Sequence, residues 1–329
     1  MNSSLIRFLA KNFIKMMTLV VMVSIVSFIL LANSPIDPLD AYFANANASV
    51  EQQTAVAEYW GFNKPPTERL LHWASRIIRG DLGTSFVYRE PVINVISEKF
   101  EASLALMMVA WALSGIFGFV LGVLAGVYRN SWIDKCVRYF SLVCVSTPLF
   151  WLGLLFLMIF AVKLQWFPLA LGAPIGKLAD EVTLAERIHH LILPALTLSI
   201  TGISSIALQT RQKMIEVSES NYMLFAAARG ETLWQRVRGH GLRNILLPAI
   251  TLQFASFNEL FGGAILAETV FSYPGLGGTV TLAGLRGDLS LLLGIAIFSA
   301  IFIFVGNLIA EVLYGVIDPA IREGGASHG

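Results

Sequence analysis

The chain has 329 residues, 56% of them hydrophobic and only 14% charged, with a formal net charge of +1. A soluble domain carries about 25% charged residues, so a polytopic membrane protein is expected, and length counts spans rather than globular cores. No basic run is interleaved with aromatics, which leaves no nucleic-acid footprint. Cys136 and Cys144 share one apolar segment; on a helix they stand about 12 Å apart along the axis, too far for a disulfide.

Residues 1–15 carry Arg7, Lys11 and Lys15, and 16–32 are almost wholly apolar. Leu31-Ala32-Asn33-Ser34 is a poor cleavage site and further spans follow, so an uncleaved first helix is expected rather than a signal peptide. Residues 33–101 form the longest polar region, broken at Asp37-Pro38. Ser49 with Gln52 is a capping-box pattern for a helix running to about Trp60. Lys64-Pro65-Pro66 opens a second helix with Leu70, Leu71, Ala74, Ile77 and Ile78 on one side, ended by Gly80-Asp81-Leu82-Gly83. Such a helix suits a membrane surface or a small extracytoplasmic subdomain; a solvated linker is the plain alternative.

Span two is expected over 102–128, where Gly118, Gly122 and Gly126 recur every four residues with Gly115 close by. A small-residue stripe of that period lets another helix approach closely in lipid. Span three, 139–162, is interrupted by Ser146-Thr147-Pro148. The proline frees a carbonyl and kinks the helix, which lipid tolerates only where neighbours satisfy the backbone; these three residues are pathway candidates as well as structural ones. Residues 163–190 are polar, with Trp166-Phe167-Pro168 suited to an interface. Adjacent His189 and His190 lack a third ligand nearby, so no metal site is expected there. Span four covers 191–208 with Pro194 near its start, span five 245–270, and span six 289–314, stopped by Asp318-Pro319. Between spans five and six, Phe271–Gly278 reads as a turn-rich loop.

Six spans put both termini on one side. The N-terminus, the 129–138 and 210–244 loops and the tail hold thirteen Lys and Arg, against four in the two short opposite loops. The long 33–101 region escapes the rule, so both termini and the 210–244 loop are expected to be cytoplasmic. That loop contains 221–248, NYMLFAAARGETLWQRVRGHGLRNILLP, with four arginines. Ala226-Ala227-Ala228 form helix readily and have little bulk, so the turn can sit in a groove of another protein with Tyr222, Phe225 and Arg229 as anchors. Gly230 suits a helix C-terminus, and 231–239 makes a second short piece. An ordinary cytoplasmic helix–turn–helix loop is the alternative.

No HExxH, GxSxG or CxxC motif occurs. Gly172–Lys177, GAPIGK, has one residue too few between its glycines and lacks the following Ser or Thr, so it is no phosphate loop. Ionisable residues inside spans are functional candidates. Glu259, beside Asn258, lies near the middle of span five, with Glu268 close to its outer end and Glu311 near the inner end of span six. Glu268 can reach the interface, whereas Glu259 must face a partner, for example Asn307, or a water-filled path.

The 221–243 segment resembles the cytoplasmic loop that importer-type ABC permeases insert into their ATPase subunits. Ala226-Ala227-Ala228, Arg229 and Gly230 match its small-residue turn, without the usual leading Glu. The ending His240-Gly241-Leu242-Arg243-Asn244, with Pro248 following, is similar to the first permease of the dipeptide, oligopeptide and nickel importers. Gly61-Phe62-Asn63-Lys64-Pro65, Trp73 and Gly80-Asp81-Leu82-Gly83 resemble its extracytoplasmic region. Ser146-Thr147-Pro148 with Phe150-Trp151, and His190-Leu191-Ile192-Leu193-Pro194, resemble the starts of its third and fourth spans. Glu268-Thr269-Val270-Phe271-Ser272-Tyr273-Pro274-Gly275-Leu276-Gly277 resembles its most distinctive signature, and Ile317-Asp318-Pro319-Ala320-Ile321-Arg322 its C-terminal end, with Ala320 where arginine is usual.

The resemblance implies an all-α polytopic permease with six transmembrane helices. An extracytoplasmic helical insertion follows helix 1, and a cytoplasmic coupling helix lies between helices 4 and 5. Its divisions are 1–32 for the cytoplasmic N-terminus and first span, 33–101 for the extracytoplasmic region, 102–318 for the permease core with its coupling segment at 221–243, and 319–329 for the cytoplasmic tail. It implies a non-catalytic bacterial inner-membrane subunit that pairs with a second homologous permease, two ATPase subunits and an extracytoplasmic solute-binding protein. The chain then holds no cofactor, ATP and Mg belonging to the ATPases, and the cargo is a small peptide, nickel or a metal chelate. The coupling residues implied are Tyr222, Phe225, Ala226, Ala227, Ala228, Arg229 and Gly230; Ser146, Thr147, Pro148, Asn258, Glu259 and Glu268 stand as pathway candidates. The competing reading is an ion-coupled secondary carrier using Glu259, a class that commonly shows internal repeats; no convincing repeat is visible.

Overall fold

A computed structural model of the chain describes residues 3–32, 39, 43, 49–60, 63–178 and 181–317. The Asp37-Pro38 break, Gly61-Phe62, the 319–329 tail with most of the C-terminal motif, and the side chains of Leu70, Trp73, Ile78, Asn258 and Glu311 lie outside the described residues. Among the described residues the elements are helical, with one isolated bridge between Thr84 and Pro91. Among the described residues, four helices contain stretches long and apolar enough to cross a bilayer, at Phe13–Leu30, Val92–Val127, Leu184–Ser218 and Leu289–Ile309. Two bent pairs bring the number to six if each crosses as one span.

The chain divides into two compact units, Met1–Ala102 with Pro274–Val305, and Ser103–Tyr273 with Gly306–Gly329. The first unit contains α1 (Ser3–Ala32), α2 (Val50–Trp60) and α3 (Pro66–Ile78). The Ser49 box forms as expected: Gln52 N donates to Ser49 Oγ at 3.2 Å and Ser49 N to Gln52 Oε1 at 3.1 Å. Pro66 occupies the first turn of α3, where its missing N–H costs nothing. Ala74 and Ile77 are half-buried while Leu71 remains exposed. The helix ends before Gly80, whose φ of +80° is left-handed. Arg76 Nη2 reaches Asp81 Oδ2 at 2.8 Å, and Gly83 N donates to Asp81 Oδ1 at 2.8 Å.

The remaining elements of this unit are the first turns of α4 (Val92–Val127), then α12 (Leu276–Arg286) and most of α13 (Leu289–Ile317). The sequence suggests a start for α4 near Ala102 and a loop at 271–278; α4 begins at Val92, and the loop is confined to 272–275 because α12 begins at Leu276. Burial explains both. Val92, Val95, Ile96, Leu276, Ala283, Leu291 and Ile295 form one core, so apolar packing overrides the loop tendency of Gly277-Gly278.

Asp288 ties this core together and is fully buried. Its Oδ1 accepts from Leu291 N at 3.1 Å and caps α13, while Oδ2 accepts from Ser85 Oγ at 2.6 Å and Val87 N at 3.2 Å. Burial nevertheless raises its pKa, because it outweighs the Ser85 hydroxyl and the backbone donors.

The second unit is a bundle of α4, α5 (Trp132–Ser146), α6 (Leu149–Phe156), α7 (Leu184–Ser218), α10 (Leu242–Ala255) and α11 (Phe257–Phe271). The glycine stripe faces α7. A Cβ on Gly118, Gly122 or Gly126 would stand 2.8, 2.6 and 2.5 Å from the Cβ atoms of Ile206, Thr210 and Met214. Gly202 of α7 is as close to Ser114, at 2.8 Å. The contact is therefore side-chain-free on alternating sides, and backbones approach closely. Trp111 Nε1 donates to Gln253 O at 3.0 Å, and Gln253 Nε2 donates back to Trp111 O at 2.5 Å, joining α4 to α10.

Both bent pairs lie in this bundle. Trp132–Ser146 and Leu149–Lys163 meet at 110°. Thr147, before a proline, is extended at φ −98° and ψ 131°, as Pro148 requires. Its N–H still reaches Cys144 O at 3.3 Å, and its Oγ1 reaches Val143 O at 2.7 Å. The second pair, Leu233–Ala255 and Glu259–Phe271, bends by 55°. Span five is thus broken where the sequence reads as one apolar run. Helix α7 begins at Leu184, earlier than hydropathy suggests, because Thr183 and Glu186 form a complete capping box; it continues through Pro194 to Ser218.

Two outcomes check this packing. Gly122→Ala forces a Cβ against Ala207 O at 2.7 Å and is expected to cost about 1–3 kcal/mol by overpacking, lowering the thermal midpoint in detergent. Gly262→Ala, with open space at its Cβ, leaves that midpoint unchanged. For Asp288, a raised folded-state pKa means that the stability from its protonated form is complete below the ordinary carboxylate range. It is lost as pH rises through the raised value. The gap in thermal midpoint between wild type and Asp288→Asn is therefore expected to narrow as pH climbs through that window.

Candidate functional site

Helix α8 (Asn221–Ala228) follows α7 after a single tight turn. Its N-terminal turn is set by Ser220, whose Oγ donates to Val217 O at 2.5 Å. Met223 points into a core of Val123, Met214, Val217, Val237 and Ile245, and Ala226 is buried as well. The opposite face is open: Tyr222 is 43% exposed, Leu224 56% and Phe225 67%, and Ala227, Ala228, Arg229 and Gly230 are exposed beside them. Of the seven residues singled out from the sequence, six lie on this surface and Ala226 is the inward knob that seats it. Leu224 was not anticipated; its apolar type alone gave no sign of which face it takes.

The end of α8 is sharply defined. Gly230 has φ +86°, Gly230 N donates to Ala227 O at 3.0 Å and Glu231 N to Ala226 O at 3.2 Å. These are the two bonds of a Schellman closure, which needs a left-handed residue and hence glycine. The chain then forms α9 (Leu233–Arg236), opened by a capping box between Thr232 and Gln235, and a π-helical turn at Val237–Gly241. His240 Nε2 lies 3.2 Å from Glu231 Oε2 and clasps the segment to itself.

Residues 128–134 brace this segment. Trp234 Nε1 donates to Tyr128 Oη at 3.2 Å, and Arg129 pairs with Glu219. Asp134, 1% exposed, takes two bonds from the Arg211 guanidinium, one of them Nη2 to Oδ2 at 2.8 Å. Asn130 N donates to the same carboxylate at 2.9 Å. A planar two-point pair of this kind fixes orientation as well as charge. The sequence offers Asp134 only as one acid in a basic loop, and its partner lies far along the chain.

A cleft of about 230 Å³ opens in the same unit, lined by Leu149, Leu198, Thr201, Gly202, Ser256, Glu259, Leu260, Gly263 and Leu266. It stands at both helix breaks. Leu149 follows the Pro148 bend, and Glu259 lies in the first turn of α11, where the helix dipole favours a negative charge. Ser146, Thr147 and Pro148 stop just short of the lining. Asn258 belongs to α11, but its side chain lies outside the described residues. Among the described residues Glu259 makes no hydrogen bond and no ion pair, so the Asn307 contact weighed from the sequence does not form.

Glu268 is elsewhere and only 1% exposed, so it does not reach outward as its position suggested. Its carbonyl accepts from Tyr273 N at 2.9 Å. The Tyr273 phenol pKa is raised first by burial and then by the Glu268 charge, against a lowering pull from Arg187. His189 Nε2 meets Trp166 O at 2.8 Å and His190 Nδ1 meets Leu171 O at 3.0 Å, so the pair fastens the 164–171 loop to α7. Among the described residues no three His, Cys, Asp or Glu gather as metal ligands.

Comparison with known proteins places this geometry in context. Residues 118–323 match the family described as binding-protein-dependent transport system inner membrane component. The oligopeptide transport system permease protein AppB of Bacillus subtilis is 32% identical over 301 residues, covering 91% of this chain and 94% of that one. The glutathione transport system permease protein GsiC of Escherichia coli is 32% identical over 319 residues, covering 97% and 99%. Among solved structures, the inward-facing MetNI methionine ABC transporter aligns with a TM-score of 0.54 at 17% identity, covering 69% of this chain and 97% of that one; this is a likeness of fold.

The Asp134–Arg211 pair yields a test. Asp134→Ala leaves a guanidinium largely buried and unpaired, an expected loss of about 3–5 kcal/mol. Replacing both, Asp134→Leu with Arg211→Met, is expected to recover most of the thermal stability. A double variant as unstable as the single one would show that the pair is not the brace.

Proposed function

Because the chain belongs to the binding-protein-dependent transport system inner membrane component family, we propose that it forms half of the translocation pathway of a small-peptide importer and couples that pathway to ATPase subunits through α8. It is a permease of an ABC importer and a multi-pass inner-membrane protein. Its role is transport, with ATP and Mg handled by two partner ATPase chains. A second homologous permease completes the pathway and a solute-binding protein delivers cargo to the 33–101 side. The Lys and Arg distribution supports cytoplasmic termini and a cytoplasmic α8.

The observation that carries the coupling reading is the two-sided build of α8. Met223 and Ala226 anchor it to its own bundle, while Tyr222, Leu224 and Phe225 stand in solvent. Three large apolar side chains on one short exposed helix mark a protein interface. Ala227 and Ala228 between them let a groove wall come close. Small peptides come first as cargo, ahead of nickel or a metal chelate, because the relatives are named for peptide, oligopeptide and glutathione transport. A carrier driven by ions through Glu259 finds no support in those relatives.

Ala227→Arg adds bulk on the exposed face, and Gly230→Pro cannot adopt φ +86°. Both are expected to abolish co-purification of the ATPase subunits while the chain still inserts in the membrane. Normal co-purification of both variants would falsify the docking role. Uptake into liposomes holding this chain without any ATPase would sink the importer reading as a whole.

A further inference from the structure

The cleft beside the two helix breaks holds one formal charge. An ionised carboxylate within a membrane-spanning segment is costly unless a cation or water meets it. Glu259 has neither a hydrogen-bond nor an ion-pair partner among the described residues. Among the described residues, the other polar side chains on the wall are the hydroxyls of Thr201 and Ser256. Ser256 Oγ already gives its proton to Gln253 O at 2.9 Å, so towards the cleft it can only accept. The wall is therefore acceptor-rich and negative, with leucines and glycines around it.

That chemistry selects its occupant. Divalent ions take several oxygen, nitrogen or sulfur ligands, and no such group gathers among the described residues. An ammonium is compact, carries one charge and has three donors, which match one carboxylate and two hydroxyls. At about 230 Å³ the cleft falls below the roughly 300–1,000 Å³ of sites that enclose a whole small molecule. It suits one end of a ligand. We propose that Glu259 receives the protonated α-ammonium group of a peptide in transit, making this cleft a recognition point for the free amino terminus inside the pathway. The inference rests on the peptide-import reading and adds the residue and chemical group.

The test uses the assembled importer in liposomes with trialanine as probe. Replacing a charged hydrogen bond by a neutral one predicts that Glu259→Gln lowers maximal uptake by about tenfold or more. KM, which the solute-binding protein dominates, stays put, and Glu259→Asp restores most of the rate. A second measurement places Leu266→Cys on the cleft wall, with Cys136 and Cys144 replaced by Ser. The cationic 2-aminoethyl methanethiosulfonate is expected to modify it faster than the anionic 2-sulfonatoethyl reagent. Trialanine slows that reaction, N-acetyl-trialanine does not, and Glu259→Gln removes the preference. Wild-type uptake by Glu259→Gln, or equal protection by both peptides, overturns the inference and leaves peptide import standing. Loss of the second permease from purified Glu259→Gln complexes also overturns it, since the carboxylate then pairs with a subunit. If the wild-type importer carries no trialanine or other peptide, the peptide reading fails and this inference falls with it.

Discussion

The close approach of α4 and α7 is the constraint on which the bundle depends. In lipid, apolar side chains gain little by meeting one another, so helices associate through tight packing and polar contacts. Gly118, Gly122 and Gly126 remove side chains from one surface, and Ile206, Thr210 and Met214 fill the space. The seam fixes α7, and α7 in turn positions both candidate sites in this unit. Its upper part supplies Leu198, Thr201 and Gly202 to the cleft. Its lower part supplies Arg211 to the Asp134 pair and Met214 to the core under α8.

The candidate sites gather where helices break. A transmembrane backbone is interrupted only if the freed groups find partners or border a cavity. At Thr147 the partners are local, Val143 O and Cys144 O. At Ser256 the N–H keeps Leu252 O at 3.1 Å and Leu260 N returns to Ser256 O at 3.1 Å, so the 55° bend is made with little loss of hydrogen bonding. The new helix start places Glu259 in a favourable first turn. An acid that looks misplaced in the middle of an apolar run is, at a helix N-terminus on a cleft wall, in a setting that tolerates its charge.

Local chemistry was legible in the sequence wherever a residue type dictates its own backbone. The Ser49–Gln52 box, Pro66 at a helix start, the Pro148 bend and the Gly230 terminus all formed as their residues demand. The glycine stripe announced a helix contact, though not which helix it meets. Elements decided by distant packing were not legible. The reading of 271–278 as a loop held for 272–275 but not from Leu276 onward, because Leu276 and Ala283 bury against Val92, Val95 and Ile96, nearly two hundred residues away in the chain. The break in span five carries no proline or glycine, so hydropathy passed over it. Ala226 could be seen as helix-forming, but its burial is decided by what packs over it in the fold.

If α8 couples to ATPase subunits as proposed, the order of contacts along α7 supplies a route for what happens there. From Thr201 at the cleft to Ser218 at the turn into α8 is one unbroken helix, roughly 25 Å at 1.5 Å per residue. The glycine seam grips the middle of that length. Near its lower end the two-point Arg211–Asp134 pair ties α7 to α5, and Arg129 in the turn before α5 pairs with Glu219 just after α7. A displacement of α8 by a bound partner would be resisted at the turn, because Met223 is packed into the same core as Met214. In an importer it would move α7 as a rod, and the other end of that rod is the wall facing Glu259. Such a link has physical content only if both ends bias one mechanical element. Here that element is α7.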